Sequence, residues 1–229
     1  MYHANIAFQV NSLMFESIQI EELTFAMDML AAVTFAVTGA LVASRKGLDI
    51  LGFMWFSVIT GVGGGTVRDL ILDAPVFWLV HTEHIIACLI TAVCMFFFAP
   101  LVESRFKLVL WFDALGLAFV TVVGVVKAIE YDVPLLVAVV MGVITGSVGG
   151  IIRDVIGGVH SVILLKEIYV MASVIGASLL VVLHSFDVDT LISSMIAFFI
   201  IFLIRALAIS FNWSMPGPID KSNNSSEEQ

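Results

Sequence analysis

The chain has 229 residues, of which 60% are hydrophobic and 13% charged, with a formal net charge of −9. A soluble domain lies nearer half apolar and a quarter charged, and a water-soluble core of this size could not hide so many apolar side chains. The composition is that of an integral membrane protein, and the negative balance argues against a nucleic-acid partner, which selects a basic face.

Residues 1–22 contain no Lys or Arg and end in Glu21 and Glu22. A signal peptide needs a basic start, so this stretch reads as an uncleaved extracytoplasmic segment. Crossing a bilayer takes roughly 20 apolar residues, and seven candidate spans follow: Leu23–Ala43, Leu48–Leu70, His84–Leu101, Lys107–Ala128, Val133–Ile156, Ile168–His184 and Thr190–Phe211. The fold class is therefore all-α, with seven transmembrane helices. Residues 212–229, rich in Pro, Gly, Ser and acids, read as a disordered cytoplasmic tail.

Basic residues alternate with acidic ones along the connections. Arg45 and Lys46 follow span one, Arg105 and Lys107 follow span three, Lys166 follows span five, and Lys221 lies in the tail. Acids occupy the intervening connections. The positive-inside rule then sets the N-terminus outside and the C-terminus in the cytoplasm, in the cell (inner) membrane. Cys88 and Cys94 lie in one apolar run and read as small buried hydrophobes rather than a disulfide framework.

Two stretches repeat. "ITGVGGGTVRD" runs from Ile59 to Asp69 and "ITGSVGGIIRD" from Ile144 to Asp154, a shift of 85 residues. The same shift pairs Asp28 with Asp113, Gly39 with Gly124 and Ala43 with Ala128 without a gap. This is an internal duplication, with units at 23–106 and 107–186 and an additional seventh helix at 187–211. Each unit holds three spans, an odd number, so the second enters the membrane from the opposite side. Inverted repeats of this kind are common in transporters and some channels.

The glycines Gly61, Gly63, Gly64 and Gly65, with Gly146, Gly149 and Gly150 in the second copy, disfavour a helix by roughly 1 kcal/mol each relative to alanine. They permit a break or kink at membrane depth, and freed backbone groups there need protein or water around them. The competing reading is close helix packing through small residues. Arg68 and Arg153 each precede an aspartate, Asp69 and Asp154. Charges inside a span are costly in lipid, so the Arg–Asp pairs either line a path or are purely structural; adjacent residues do not face each other on a helix, so partners on other helices are expected, including partners in the other repeat. Paired breaks and paired charges would then line one water-filled path. An arginine in a cation path repels the ion unless a carboxylate neutralises it or it acts as a gate; neutralised or gating arginines are the preferred reading.

Lys127 ends span four, either snorkelling to the interface or facing a pore as a gating charge. Thr60, Thr145 and Ser147 either offer hydroxyls to an ion or bond their own helix backbone. Arg205 reads as a snorkelling residue. "HTEH", His81–His84, has no further ligands nearby and reads as a polar interfacial loop. No catalytic set or zinc spacing stands out, so no catalytic residue and no metal site is assigned.

"GVGGGTVRD" and "GSVGGIIRD", 85 residues apart in a seven-span chain, resemble the prokaryotic TRIC (trimeric intracellular cation channel) family over roughly residues 23–211. The resemblance implies a homotrimer in a lipid membrane, with a pore inside each subunit lined by the second and fifth spans, passing monovalent cations, K⁺ chiefly and also Na⁺. It implies no cofactor beyond the permeant ion and bound lipid. Animal members carry a Lys-Glu-Val motif that binds an inositol lipid, but Ala128 and Ile129 follow Lys127 here, and the motif is absent. Some bacterial relatives are linked to glycine transport, so a small-solute carrier is the alternative.

Overall fold

The computed structural model describes residues 2–101, 105–158, 168–211 and 213, with side chains described from Ile20 onward. Among them are eight α-helices: α1 (Tyr2–Arg45), α2 (Ile50–Ile71), α3 (Phe77–Val80), α4 (Glu83–Phe98), α5 (Arg105–Glu130), α6 (Leu135–Gly157), α7 (Tyr169–Ser185) and α8 (Thr190–Phe211). Parts of α1, α5 and all of α2, α6 and α8 are long and apolar enough to cross a membrane. The shorter apolar α4 and α7, of 16 and 17 residues, complete the seven spans. Lys166, His160 and the tail beyond Trp213 lie outside the described residues.

Two differences from the sequence reading concern helix ends. α1 does not begin at Leu23 but runs 44 residues from Tyr2, about 66 Å at 1.5 Å per residue. Glu21 and Glu22 mark the expected edge of the span, but glutamate is a good helix former, so the helix runs on through them beyond the span. The short α3 lies in the connection after α2, where Asp69 Oδ2 accepts from the Phe77 N–H at 2.8 Å.

The bundle turns its large apolar side chains outward. Leu51, Trp55, Leu70, Leu136, Phe199 and Leu203 are exposed, while Arg68, Arg153, Arg205, Asp69 and Asp113 are buried. That inversion suits lipid, where apolar surface carries no penalty. α1 packs against α5, α2 and α4, α2 against α6, and α8 against α7 and α5. The seventh span therefore braces the second repeat. Its Phe198 meets Phe119 of α5 with ring centroids 4.5 Å apart.

The duplication is legible in the backbone as well. Gly47 and Asp132, 85 residues apart, have φ of 66° and 53°, and Asp73 and Gly158, also 85 apart, have φ of 53° and 56°. Leu48 N–H reaches back to the Ala43 carbonyl at 3.1 Å, and Val133 N–H to the Ala128 carbonyl at 3.3 Å. Both are the six-residue closure of a left-handed helix cap.

Candidate functional site

The glycine clusters interrupt neither helix. α2 is continuous from Ile50 to Ile71 and α6 from Leu135 to Gly157, which corrects the expected break. The glycines instead bring two backbones together. A Cβ on Gly64 would collide with the Thr145 carbonyl oxygen, and one on Gly149 would lie 3.0 Å from the Thr60 carbonyl oxygen. The later residue of each helix thus meets the earlier residue of the other, so α2 and α6 cross antiparallel. The two contacts are equivalent under the 85-residue shift, as a two-fold relation requires. An antiparallel crossing is what inverted repeats would place here.

Of the seven glycines, Gly63, Gly64 and Gly149 face this crossing. A Cβ on Gly63 would meet the Cδ1 of Ile152 at 3.1 Å and the Gly149 Cα at 3.9 Å. The others serve their own repeat. Gly61 makes room for Cys88 and the Ala32 carbonyl, Gly65 for Phe77, and Gly146 for Thr121 and Leu117, while Gly150 faces Asp113, Tyr169 and Arg153. Thr145 Oγ1 bonds its own backbone, to the Met141 carbonyl at 2.6 Å. Thr60 Oγ1 and Ser147 Oγ are buried without a hydrogen-bond partner.

One charge cluster flanks each end of the crossing, since Arg68 and Arg153 each follow their crossing glycine by four residues, about 6 Å along the helix. In the first cluster Arg68 donates from Nη1 and Nη2 to the two oxygens of Asp28, at 2.9 and 3.1 Å, and from Nε to Asp69 Oδ1 at 2.7 Å. Asp69 Oδ1 also accepts from Lys127 Nζ at 2.8 Å. In the second cluster Arg153 donates from Nη1 to Asp113 Oδ1 at 2.7 Å and to Thr38 Oγ1 at 2.9 Å, and from Nε to Asp154 Oδ1 at 2.8 Å.

These contacts revise three expectations. The adjacent Arg–Asp pairs do touch, because an arginine side chain is long enough to curl back even though neighbouring Cβ atoms diverge. Lys127 does not snorkel; its side chain is 13% exposed and reaches inward to the other repeat. Arg205 does not snorkel either. It is buried, with its guanidinium 4.9 Å from the centre of the Tyr169 ring. Asp28 and Asp113, which the 85-residue shift pairs but no site motif contains, each supply a carboxylate to the arginine of their repeat. His84 is buried rather than interfacial, edge-on to Phe77 at 4.8 Å.

A buried ion pair is stable only with good geometry and filled hydrogen bonds. Arg68 meets that condition, and its cluster balances two cations against two carboxylates; in the second cluster Asp113 Oδ2 is left without a hydrogen-bond partner. Next to the first cluster a cavity of about 480 Å³ opens, lined in part by Asp28, Lys127 and Glu130.

A family model described as "Glycine transporter" matches residues 25–100 and again residues 110–185, the same 85-residue shift. The UPF0126 inner membrane protein YadS of Escherichia coli is 36% identical over 200 residues, which is 85% of this chain and 95% of that protein. The TRIC trimeric intracellular cation channel orthologue from Rhodobacter sphaeroides superposes with a TM-score of 0.81 at 42% identity, over 83% of this chain and 98% of that one. The chain belongs to the bacterial TRIC family. A UPF0126 membrane protein of Vibrio cholerae is likewise 36% identical over 200 residues, 85% of this chain and 82% of that protein. A prokaryotic TRIC channel crystallised in 0.5 M KCl shares the fold at a TM-score of 0.79 and 25% identity, covering 85% of this chain and 100% of its own. The TRIC membership expected from the glycine–arginine–aspartate copies and the seven-span all-α membrane fold expected from the apolar runs are thus established.

Proposed function

We propose that the protein is a monovalent-cation channel, passing K⁺ and also Na⁺, with a path between α2 and α6 inside each subunit of a homotrimer. The observation that carries this reading is the neutralisation of both arginines. Arg68 is held by two carboxylates and Arg153 by two more. A cation travelling beside these helices meets balanced charge instead of a bare guanidinium. The relatives named as TRIC cation channels support the same reading.

In this conformation the α2–α6 crossing is shut, because backbone meets backbone at Gly64 and Gly149. Conduction on this proposal requires the two helices to part there. Lys127 and Asp69, which join the two repeats, are the pair that such parting would stress. The Ser147 hydroxyl, which has no hydrogen-bond partner, would supply an oxygen to the opened path, whereas that of Thr60 stands against Gly39 of α1. The basic connections at Arg45 and Lys46 favour a cytoplasmic C-terminus, and the Escherichia coli relative supports placement in an inner membrane.

A second reading, a small-solute carrier for glycine, is favoured by the description of the matching family model. One planar-bilayer recording under a K⁺ gradient, with glycine as the control solute, separates them. The channel reading expects unitary currents that reverse near the K⁺ equilibrium potential. Saturable glycine uptake without unitary current would overturn it in favour of the carrier.

A further inference from the structure

The cavity of about 480 Å³ beside the first charge cluster has features that the channel reading does not use. Asp28 and Lys127 form part of its lining, and both are committed, to Arg68 and to Asp69. Thr24, Phe25, His84 and Glu130 line it as well. Thr24 Oγ1 and His84 Nε2 are buried without a hydrogen-bond partner. On the same helix, Thr34 and Thr38 bond back to the carbonyls of Ala31 and Phe35, so the Thr24 hydroxyl is unspent where its neighbours' are not.

The tautomer of His84 follows from its other nitrogen. Nδ1 lies 3.0 Å from the His81 carbonyl oxygen, which can only accept, so Nδ1 carries the hydrogen. In the neutral imidazole Nε2 is then a bare lone pair. His84 is 1% exposed, so bulk water does not satisfy that lone pair. Two unfilled acceptors, an imidazole nitrogen and a hydroxyl oxygen, share the lining with the exposed Glu130 carboxylate, a set that calls for a cation that donates hydrogen bonds. Among the described residues no three His, Cys, Asp or Glu side chains are grouped to hold a metal ion. The Phe25 ring packs against His84 with centroids 5.1 Å apart and gives the cavity an apolar and π-rich wall, suited to an alkyl chain and to a positive charge.

We propose that this vestibule binds a primary alkylammonium ion and that its occupation obstructs entry of the permeant cation. The obstruction rests on the channel reading; the binding does not. The probe is n-butylammonium, with tetramethylammonium as a cation of equal charge that has no N–H. Binding is measured by titration calorimetry on the purified full chain in detergent, and obstruction by K⁺ flux from liposomes. Butylammonium is expected to bind and to lower flux. Tetramethylammonium should bind about tenfold more weakly, as should butylammonium to Thr24→Val, the scale of one lost charge-assisted hydrogen bond. Glu130→Gln should weaken binding in the same direction. Equal binding of the two ammonium ions, or unchanged binding to a Thr24→Val protein that melts like the wild type, would overturn the proposal, and so would no calorimetric signal. Butylammonium binding with this variant pattern in a protein that passes no K⁺ would support the site and overturn the channel reading instead.

Discussion

The two charge clusters are built on one plan and finished differently. In each, an arginine pairs with an aspartate 40 residues earlier and with the aspartate that follows it. The third partner differs. Lys127 joins the first cluster, and its equivalent in the other repeat is Val42; Thr38 joins the second, and its equivalent is Val123. Both third partners come from the opposite repeat. The ion pairs are thus the shared inheritance of the two halves, and the contacts that staple the halves together arose separately in each.

That difference ranks the consequences of removing each arginine. Arg153→Met takes the guanidinium from Asp113, whose Oδ2 already lacks a hydrogen-bond partner in a fully buried setting. Stranding a buried charge costs about 3–5 kcal/mol. Arg68→Met should cost less, because Asp28 borders the cavity, where water can reach it, and Asp69 keeps Lys127 and the Phe77 N–H. Thermal unfolding in detergent, followed by tryptophan fluorescence, should show the larger drop for Arg153→Met. Placing Arg68→Met in a Lys127→Val background should narrow the gap. Equal drops in the single variants would break the distinction.

The crossing supplies a smaller and graded set of effects. A methyl on Gly64 runs into the Thr145 carbonyl of the neighbouring helix, and one on Gly149 meets the Thr60 carbonyl at 3.0 Å. A methyl on Gly63 meets the movable tip of Ile152 at 3.1 Å and backbone, the Gly149 Cα, at an ordinary 3.9 Å. Overpacking against fixed backbone typically costs about 1–3 kcal/mol. Melting temperature should therefore fall most for Gly64→Ala, less for Gly149→Ala and least for Gly63→Ala. If Gly63→Ala were the most damaging, the glycines would not be serving the contact described.

Periodicity and spacing carried the spans, the duplication and the position of one intramembrane arginine beside each glycine cluster, because apolar runs and a fixed shift are properties of the chain itself. They could not carry the role of the glycines. A cluster such as Gly63–Gly65 reads equally as a helix breaker or as a packing face, and the decision lies in what stands opposite, here the Thr145 carbonyl. Lys127 and Arg205 show the same limit, since a basic residue near the end of a span snorkels or turns inward according to whether a carboxylate or an aromatic ring waits inside. Asp28 and Asp113 were nearer to hand. Two carboxylates at matching places in two spans are costly in lipid, and each repeat offered one buried arginine as the natural counter-ion.

The finest test of the duplication concerns the turn that closes the first span of each repeat. Gly47 and Asp132 share a left-handed backbone at equivalent positions. Glycine takes that conformation freely and aspartate tolerates it, whereas a β-branched residue is strongly disfavoured there. Nothing lies within 4 Å of a Cβ built on Gly47, so backbone conformation alone sets the cost of a substitution. Gly47→Asp should leave the melting temperature nearly unchanged, because the second repeat already folds with that residue in that place. Gly47→Val should cost about 1–2 kcal/mol. Were Asp and Val equally harmful at position 47, the two turns would differ in their energetics despite matching φ and hydrogen bonds, and the equivalence of the repeats would stop at the ion pairs and the glycine crossing.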